Sequence, residues 1–63
     1  MGALMTPTYE CYWVHDKALR TEIRADTSWE ARKQFRDFYN ASQDADVPVH
    51  ECVAVRIWAT VLP

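Results

Sequence analysis

The sequence predicts an α+β domain with the element order ββαβ, in which a three-stranded sheet carries one helix packed on one face. Three observations lead to this prediction. Residues 18–25 and 51–61 alternate apolar and polar side chains, which is typical of half-buried strands. Residues 8–15 are rich in aromatic and β-branched side chains, which is a second strand signal. Residues 27–40 begin with a helix cap and continue with apolar residues at helical spacing.

The first two strands are expected to form a hairpin. Residues 8–15 contain no glycine or proline that would interrupt a strand. Asp16 and Lys17 are predicted to form a two-residue turn, after which residues 18–25 return as the second strand. One face of this second strand collects Leu19, Thr21, Ile23 and Ala25.

The helix prediction rests on Thr27 and Glu30, which have the spacing of a capping box. In that motif the Thr27 side chain accepts a hydrogen bond from the Glu30 amide, and the Glu30 side chain reaches back. We expect the helix to end between residues 40 and 42, with a polar loop over residues 43–48. Its apolar side should carry Ala31, Phe35, Phe38 and Tyr39.

Connection rules then fix the arrangement of the strands. A right-handed crossover through the helix sets the second and third strands parallel to each other, so the first strand fits between them and antiparallel to both. One helix covers one face of such a sheet and leaves the other face open. The core predicted on the covered face consists of Cys11, Trp13, Leu19, Ile23, Ala31, Phe35, Phe38, Val53, Val55 and Ile57.

The uncovered face is predicted to mix aromatic, aliphatic and arginine side chains, a composition enriched at protein interfaces. We expect it, or the edge of the second or third strand, to join two chains in a homodimer; sequence alone leaves face and edge open. A plainer alternative is that long arginine stems shield a few rings from water. The predicted face holds Tyr12, Val14, Ala54, Arg56 and Trp58, and the dimer contacts are assigned to Tyr12, Val14, Ala54 and Trp58.

The polar side of the helix carries an unexpected tryptophan among basic residues. We name Trp29, Arg32, Lys33 and Arg36 the helix stripe. Tryptophan and arginine are frequent hot spots, so the stripe is a candidate contact for a protein partner, with Arg56 and Trp58 as further candidates. The alternative is structural, with Trp29 lying over the stems of Lys33 and Arg36 in a local cation–π contact.

Composition limits the other function classes. The formal net charge of −2 and the pI near 5.5 argue against a general nucleic-acid binder, although a single-strand binder that stacks bases on Tyr12 and Trp58 stays open as the alternative function. Cys11 and His15 are too far apart along one strand to share a zinc ion. The two cysteines are expected to face opposite ways, which disfavours a disulfide. We expect no catalytic residue, no cofactor and no metal.

Residues 1–7 are expected to be disordered or left over from an expression vector, and residues 8–63 to form the single domain. The N-terminus lacks the charged start and apolar run of a signal peptide, and no segment has the roughly 20 apolar residues of a membrane span. A cytoplasmic location with no membrane partner is the resulting expectation.

The strand-to-helix junction carries a resemblance. The run from Ile23 to Ala31, with Phe35 following, has the skeleton apolar-x-Ala-x-Thr-Ser-x-Glu-Ala. It resembles the corresponding junction of small phage-encoded ββαβ accessory proteins, including some anti-CRISPR proteins. The resemblance covers roughly a third of the chain and transfers no functional residue. It implies a small non-enzymatic modulator that binds a host macromolecule in the host cytoplasm.

Overall fold

The computed structural model describes residues 6–57, and these form a three-stranded antiparallel sheet with one helix packed against it. The elements are β1 (Thr8–Trp13), β2 (Asp16–Arg24), α1 (Ser28–Gln43), a short 3₁₀ turn (Val49–Glu51) and β3 (Cys52–Ile57). The strand order is β2-β1-β3, with β1 antiparallel to both neighbours. The predicted α+β class, the ββαβ order and the central position of the first strand are therefore confirmed. Residues 1–5 and the predicted continuation of β3 over residues 58–61 lie outside the described part.

The hairpin turn lies two residues earlier than the sequence predicts. Val14 and His15 form the turn, and Trp13 pairs with Asp16. Tertiary contacts explain the difference. The Tyr39 hydroxyl donates a hydrogen bond to the Asp16 carboxylate at 3.1 Å, and the Val14 amide donates one to the Glu51 carbonyl at 3.0 Å. A register shift between Cys11 and Trp13 accommodates the earlier turn.

One side chain caps the start of α1, and another holds the loop that follows the helix. The Thr27 hydroxyl accepts a hydrogen bond from the Glu30 amide at 3.1 Å, so the predicted N-cap is confirmed. At the other end, the Asn40 side chain accepts from the Val47 amide at 2.8 Å and donates to the Val47 carbonyl at 3.3 Å. This exchange ties the loop after the helix to α1 and holds Val47 in the core.

The core lies between α1 and the covered face of the sheet. The predicted burial of Cys11, Ala31 and Phe35 is confirmed, because each of these side chains is fully enclosed. Trp13, Leu19 and Ile23 are partly buried and pack against the same cluster. Among residues 6–57, the buried residues are Tyr9, Cys11, Ala25, Ala31, Phe35, Tyr39, Val47 and Cys52.

The predicted facing of β3 is wrong. Cys11 pairs with Ala54 and Trp13 pairs with Cys52, and side chains directly opposite each other share a face. Cys52 and Ala54 therefore face the helix, where their small volume lets α1 lie close to the sheet. The larger Val53, Val55 and Ile57 point to the uncovered side. Phe38 was also assigned to the core, but its side chain is 48% exposed.

Candidate interaction surface

The uncovered face of the sheet is apolar along one strand. Val53, Val55 and Ile57, which we name the β3 strip, occupy consecutive outward positions on β3. Val55 is 51% exposed and Ile57 36% exposed, while Val53 is half-buried. Tyr12 is directly opposite Val53 on β1 and extends the apolar area by one ring. Aliphatic groups grouped in this way are the usual centre of a protein contact.

The β2 side of the same face is charged, and Arg20 and Glu10 are paired there within the chain. The Arg20 guanidinium donates to the Glu10 carboxylate at 3.0 Å and lies 4.4 Å from the centroid of the Tyr12 ring. Glu10 is directly opposite Glu22, and Arg20 offsets part of the repulsion between these two like charges. Arg24 lies further along β2, opposite Thr8. The face therefore changes from charged at β2 to apolar at β3.

The two edges of the sheet also differ in charge, with a charged β2 edge and a largely apolar β3 edge. The β2 edge carries Lys17, Arg20, Glu22 and Arg24 and borders the register shift, and both charge and irregularity discourage pairing with another strand. The outer edge of β3 has no strand partner within residues 6–57. Its sequence, CVAVRI, contains a single charge and no proline.

The backbone of β3 is oriented for pairing at that edge. The hydrogen bond from the Val14 amide to the Glu51 carbonyl sets the phase of the β1–β3 ladder. By the alternation of an antiparallel ladder, Val53 and Val55 bond to β1, whereas Ala54 directs its N–H and C=O away from it. The β3 strip thus lies beside a backbone donor and acceptor that face outward.

The helix stripe is present along one side of α1, but only Trp29 is exposed and the charges of the stripe are partly engaged. Trp29 is 50% exposed, with the Lys33 ammonium 5.8 Å from its ring centroid. This is the Lys33 part of the cation–π contact that the structural alternative describes. Lys33 also lies 3.8 Å from the Glu30 carboxylate, and Arg36 pairs with Asp37 at 2.8 Å.

Arg32 differs from the other members of the helix stripe. Its side chain is half-buried, and its Nε atom is buried with no hydrogen-bond partner within residues 6–57. Both Arg32 and Arg36 lie close enough to Cys52 to lower the pKa of its thiol, against the larger effect of burial. This side of α1 therefore lies over β3.

The residues assigned to the dimer face separate in the structure. Tyr12 does lie on the uncovered face. Ala54 packs against the core cluster, so its assignment to that face is wrong. Arg56 pairs with Tyr9 on the covered side, which corrects its assignment in the same way. Val14 is in the turn and not in a strand, and Trp58 lies outside the described residues.

Sequence reasoning therefore missed the β3 strip itself. Both alternating sets of β3 are largely apolar, so periodicity predicts the strand without deciding its facing. The one signal in the sequence that indicates the facing of β3 is side-chain volume. The set containing Cys52 and Ala54 is the smaller, and a helix packs more closely over small side chains.

The two cysteines are neighbours on the covered face, which corrects the prediction that they face opposite ways. Both are buried free thiols, and the Cys11 sulfur lies 3.8 Å from the Ala31 carbonyl oxygen. Burial, followed by the proximity of Cys52, raises the pKa of Cys11 to about 11. Burial also raises the pKa of Cys52. Neutral enclosed thiols are poor nucleophiles and poor metal ligands.

A polar cluster closes the turn end of the sheet. The Trp13 indole donates to the Glu51 carboxylate at 3.0 Å, and His15 lies 3.9 Å from the same carboxylate. His15 also meets Trp13 edge-on, with ring centroids 5.1 Å apart. Across residues 6–57, no three His, Cys, Asp or Glu side chains come together as metal ligands would. The cluster thus fixes the turn and the start of β3.

Comparisons with known proteins identify no relative of this chain. No protein-family model matches the chain, and neither a curated protein nor a solved structure matches it. In the described part of the chain, no helix has the length and apolar character required to cross a membrane.

Proposed function

We propose that the chain is a small non-enzymatic module that binds another protein through the β3 strip and Tyr12. The observation that carries the proposal is the grouping of Val53, Val55 and Ile57 on the uncovered face, beside a strand edge that has no partner strand among residues 6–57. Interfaces typically have an apolar centre with an aromatic residue and a polar rim. Here Glu10 and Arg20 supply such a rim on the β2 side.

A protein partner suits this surface better than a nucleic acid. Single-stranded nucleic acids bind by stacking bases on aromatic faces within a positively charged groove. The exposed groups on β3 are aliphatic, and the Tyr12 ring already faces the Arg20 guanidinium at 4.4 Å. Glu10 and Glu22 place negative charge on the same face.

The helix stripe is a second proposed contact for the same class of partner. Trp29 is half-exposed, and a tryptophan at the surface is a typical hot-spot residue. The biological setting we propose is the one that the sequence resemblance implies. The chain would be a phage-encoded modulator that occupies a surface of a host protein in the host cytoplasm.

Site-specific photocrosslinking in bacterial cells tests the proposal. Benzoylphenylalanine is placed at Val55 and, as the matched control, at Glu22, which points to the same face from the opposite edge strand. We expect crosslinks from position 55 to another protein that survive nuclease treatment, and few from position 22. Equal crosslinking from both positions, or crosslinks that disappear with nuclease, would contradict the proposed function.

The contribution of the helix stripe is tested separately. A Trp29→Ala/Arg36→Ala variant leaves the β3 strip intact, so crosslinking from Val55 isolates the effect of the stripe. A severalfold loss of the crosslinked product would support the stripe as a second contact. An unchanged yield would restrict the contact surface to the sheet.

A further inference from the structure

We infer that the outer edge of β3 pairs with β3 of a second copy of this chain, antiparallel and related by a two-fold axis, to give a continuous six-stranded sheet. The inference rests on the proposed function only in taking the β3 strip as the contact surface. It goes further by assigning the β3 edge to a second copy of the chain and by giving the register of that pairing.

The distribution of charge on the uncovered face favours edge pairing over face-to-face stacking. A stacked pair of sheets would bury the whole face, including Glu10, Arg20, Glu22 and Arg24, and would remove these charges from water. Extension across the β3 edge leaves them all solvated. It places the β3 strip beside the β3 strip of the partner.

The difference between the two edges points the same way. The β2 edge has the charged side chains and irregular pairing that keep edge strands from associating. Over Cys52–Ile57 the β3 edge pairs regularly with β1 and carries Arg56 as its single charge, and it offers the outward backbone of Ala54. A regular and largely apolar edge is a template for another strand.

The strand is complementary to itself in the antiparallel direction. When the two-fold axis passes Ala54, the two Ala54 residues exchange N–H···O=C bonds, and Val53 lies opposite Val55 of the partner subunit. Side chains directly opposite each other across two strands are about 4.5–5.5 Å apart at Cβ, so the valines of both copies touch. Arg56 is then opposite Cys52 of the partner subunit, and the two Arg56 side chains do not face each other.

Sedimentation combined with amide hydrogen exchange tests the inference on the unmodified protein. We expect a species of twice the 7.4 kDa chain mass at high micromolar concentration. Exchange of the Ala54 amide should slow about fivefold at a total chain concentration ten times the dissociation constant, where about one fifth of the chains remain monomeric. The Glu22 amide, which also points outward but from the β2 edge, should exchange equally fast at all concentrations. A persistent monomer, or a dimer whose Ala54 amide stays fast, would overturn the inference.

Proline substitution provides the matched variants. Ala54→Pro removes a donor that points away from β1, and proline is tolerated at such edge positions. Glu22→Pro makes the same change on the other edge. We expect a folded monomer from Ala54→Pro and a dimer from Glu22→Pro; a dimer from both would overturn the inference. If Ala54→Pro does not fold, the exchange of the Ala54 amide in the unmodified chain decides.

The results also separate the inference from the proposed function. Self-association with no crosslink from Val55 to another protein would support the dimer and contradict the proposed function. A monomer whose Ala54 amide becomes protected only when another protein is bound would overturn the dimer and support strand addition by that protein.

Discussion

Truncation of Phe35 is the sharpest test of how the helix is seated on the sheet. Phe35 is fully buried, and its ring lies 5.6 Å from that of Tyr39, which is also in the core. Removing a buried phenylalanine side chain costs about 3–5 kcal/mol of unfolding free energy. A 63-residue domain has roughly 3–9 kcal/mol in total. Phe35→Ala should therefore lose from a third of the stability to all of it.

Phe38→Ala is the matched control, because it deletes the same side chain from the same helix. Phe38 is 48% exposed, so much of its surface is already in contact with water. Its truncation should cost about 1 kcal/mol, given that the energetic penalty follows the apolar area removed from the protein interior. Urea unfolding followed by far-ultraviolet circular dichroism measures both variants. Equal losses, or a larger loss for Phe38→Ala, would refute the orientation of α1.

Two further predictions concern the loop and the thiols. Asn40→Ala should lower the free energy of unfolding by about 1–3 kcal/mol, because the buried backbone of Val47 loses both of its hydrogen-bond partners. Ser42→Ala is the control and should cost less, because it removes a single hydrogen bond at 3.3 Å. Equal melting temperatures for the two variants would contradict this prediction. The pKa of Cys11 is raised in the folded state, so stability should fall by up to about 1.4 kcal/mol per pH unit as the pH rises from 9.0 to about 11. Cys11→Ala should flatten that dependence in urea titrations, and an unchanged slope would refute the assignment.

The sequence predicts local structure here better than it predicts facing. The Thr27 cap and the alternation in β2 are each set by neighbouring residues, and both appear as expected. The turn at Val14 and His15 depends on contacts of Asp16 with Tyr39 and of Val14 with Glu51, which are remote in sequence. The turn propensity of neighbouring residues gives no information about those distant contacts.

The facing of β3 has a similar explanation. Both alternating sets of that strand satisfy an apolar pattern, and only the fit of α1 over Cys52 and Ala54 separates them. The candidate surface could therefore be predicted as an uncovered sheet face with Tyr12. Its central residues Val55 and Ile57 could not be predicted, because the outward facing of these side chains depends on how closely α1 packs on the sheet.

Val55→Lys tests the central claim most directly, because one substitution reports both on the facing of β3 and on the contact surface. The unfolding free energy is measured at a protein concentration below the dimer dissociation constant, and the mass is measured by sedimentation well above that constant. We predict a change in unfolding free energy within about 0.5 kcal/mol, as for other exposed positions, together with loss of the dimer. A lysine that unfolds the isolated domain would place Val55 against the helix, and a stable variant that still dimerises would remove the β3 strip from the interface.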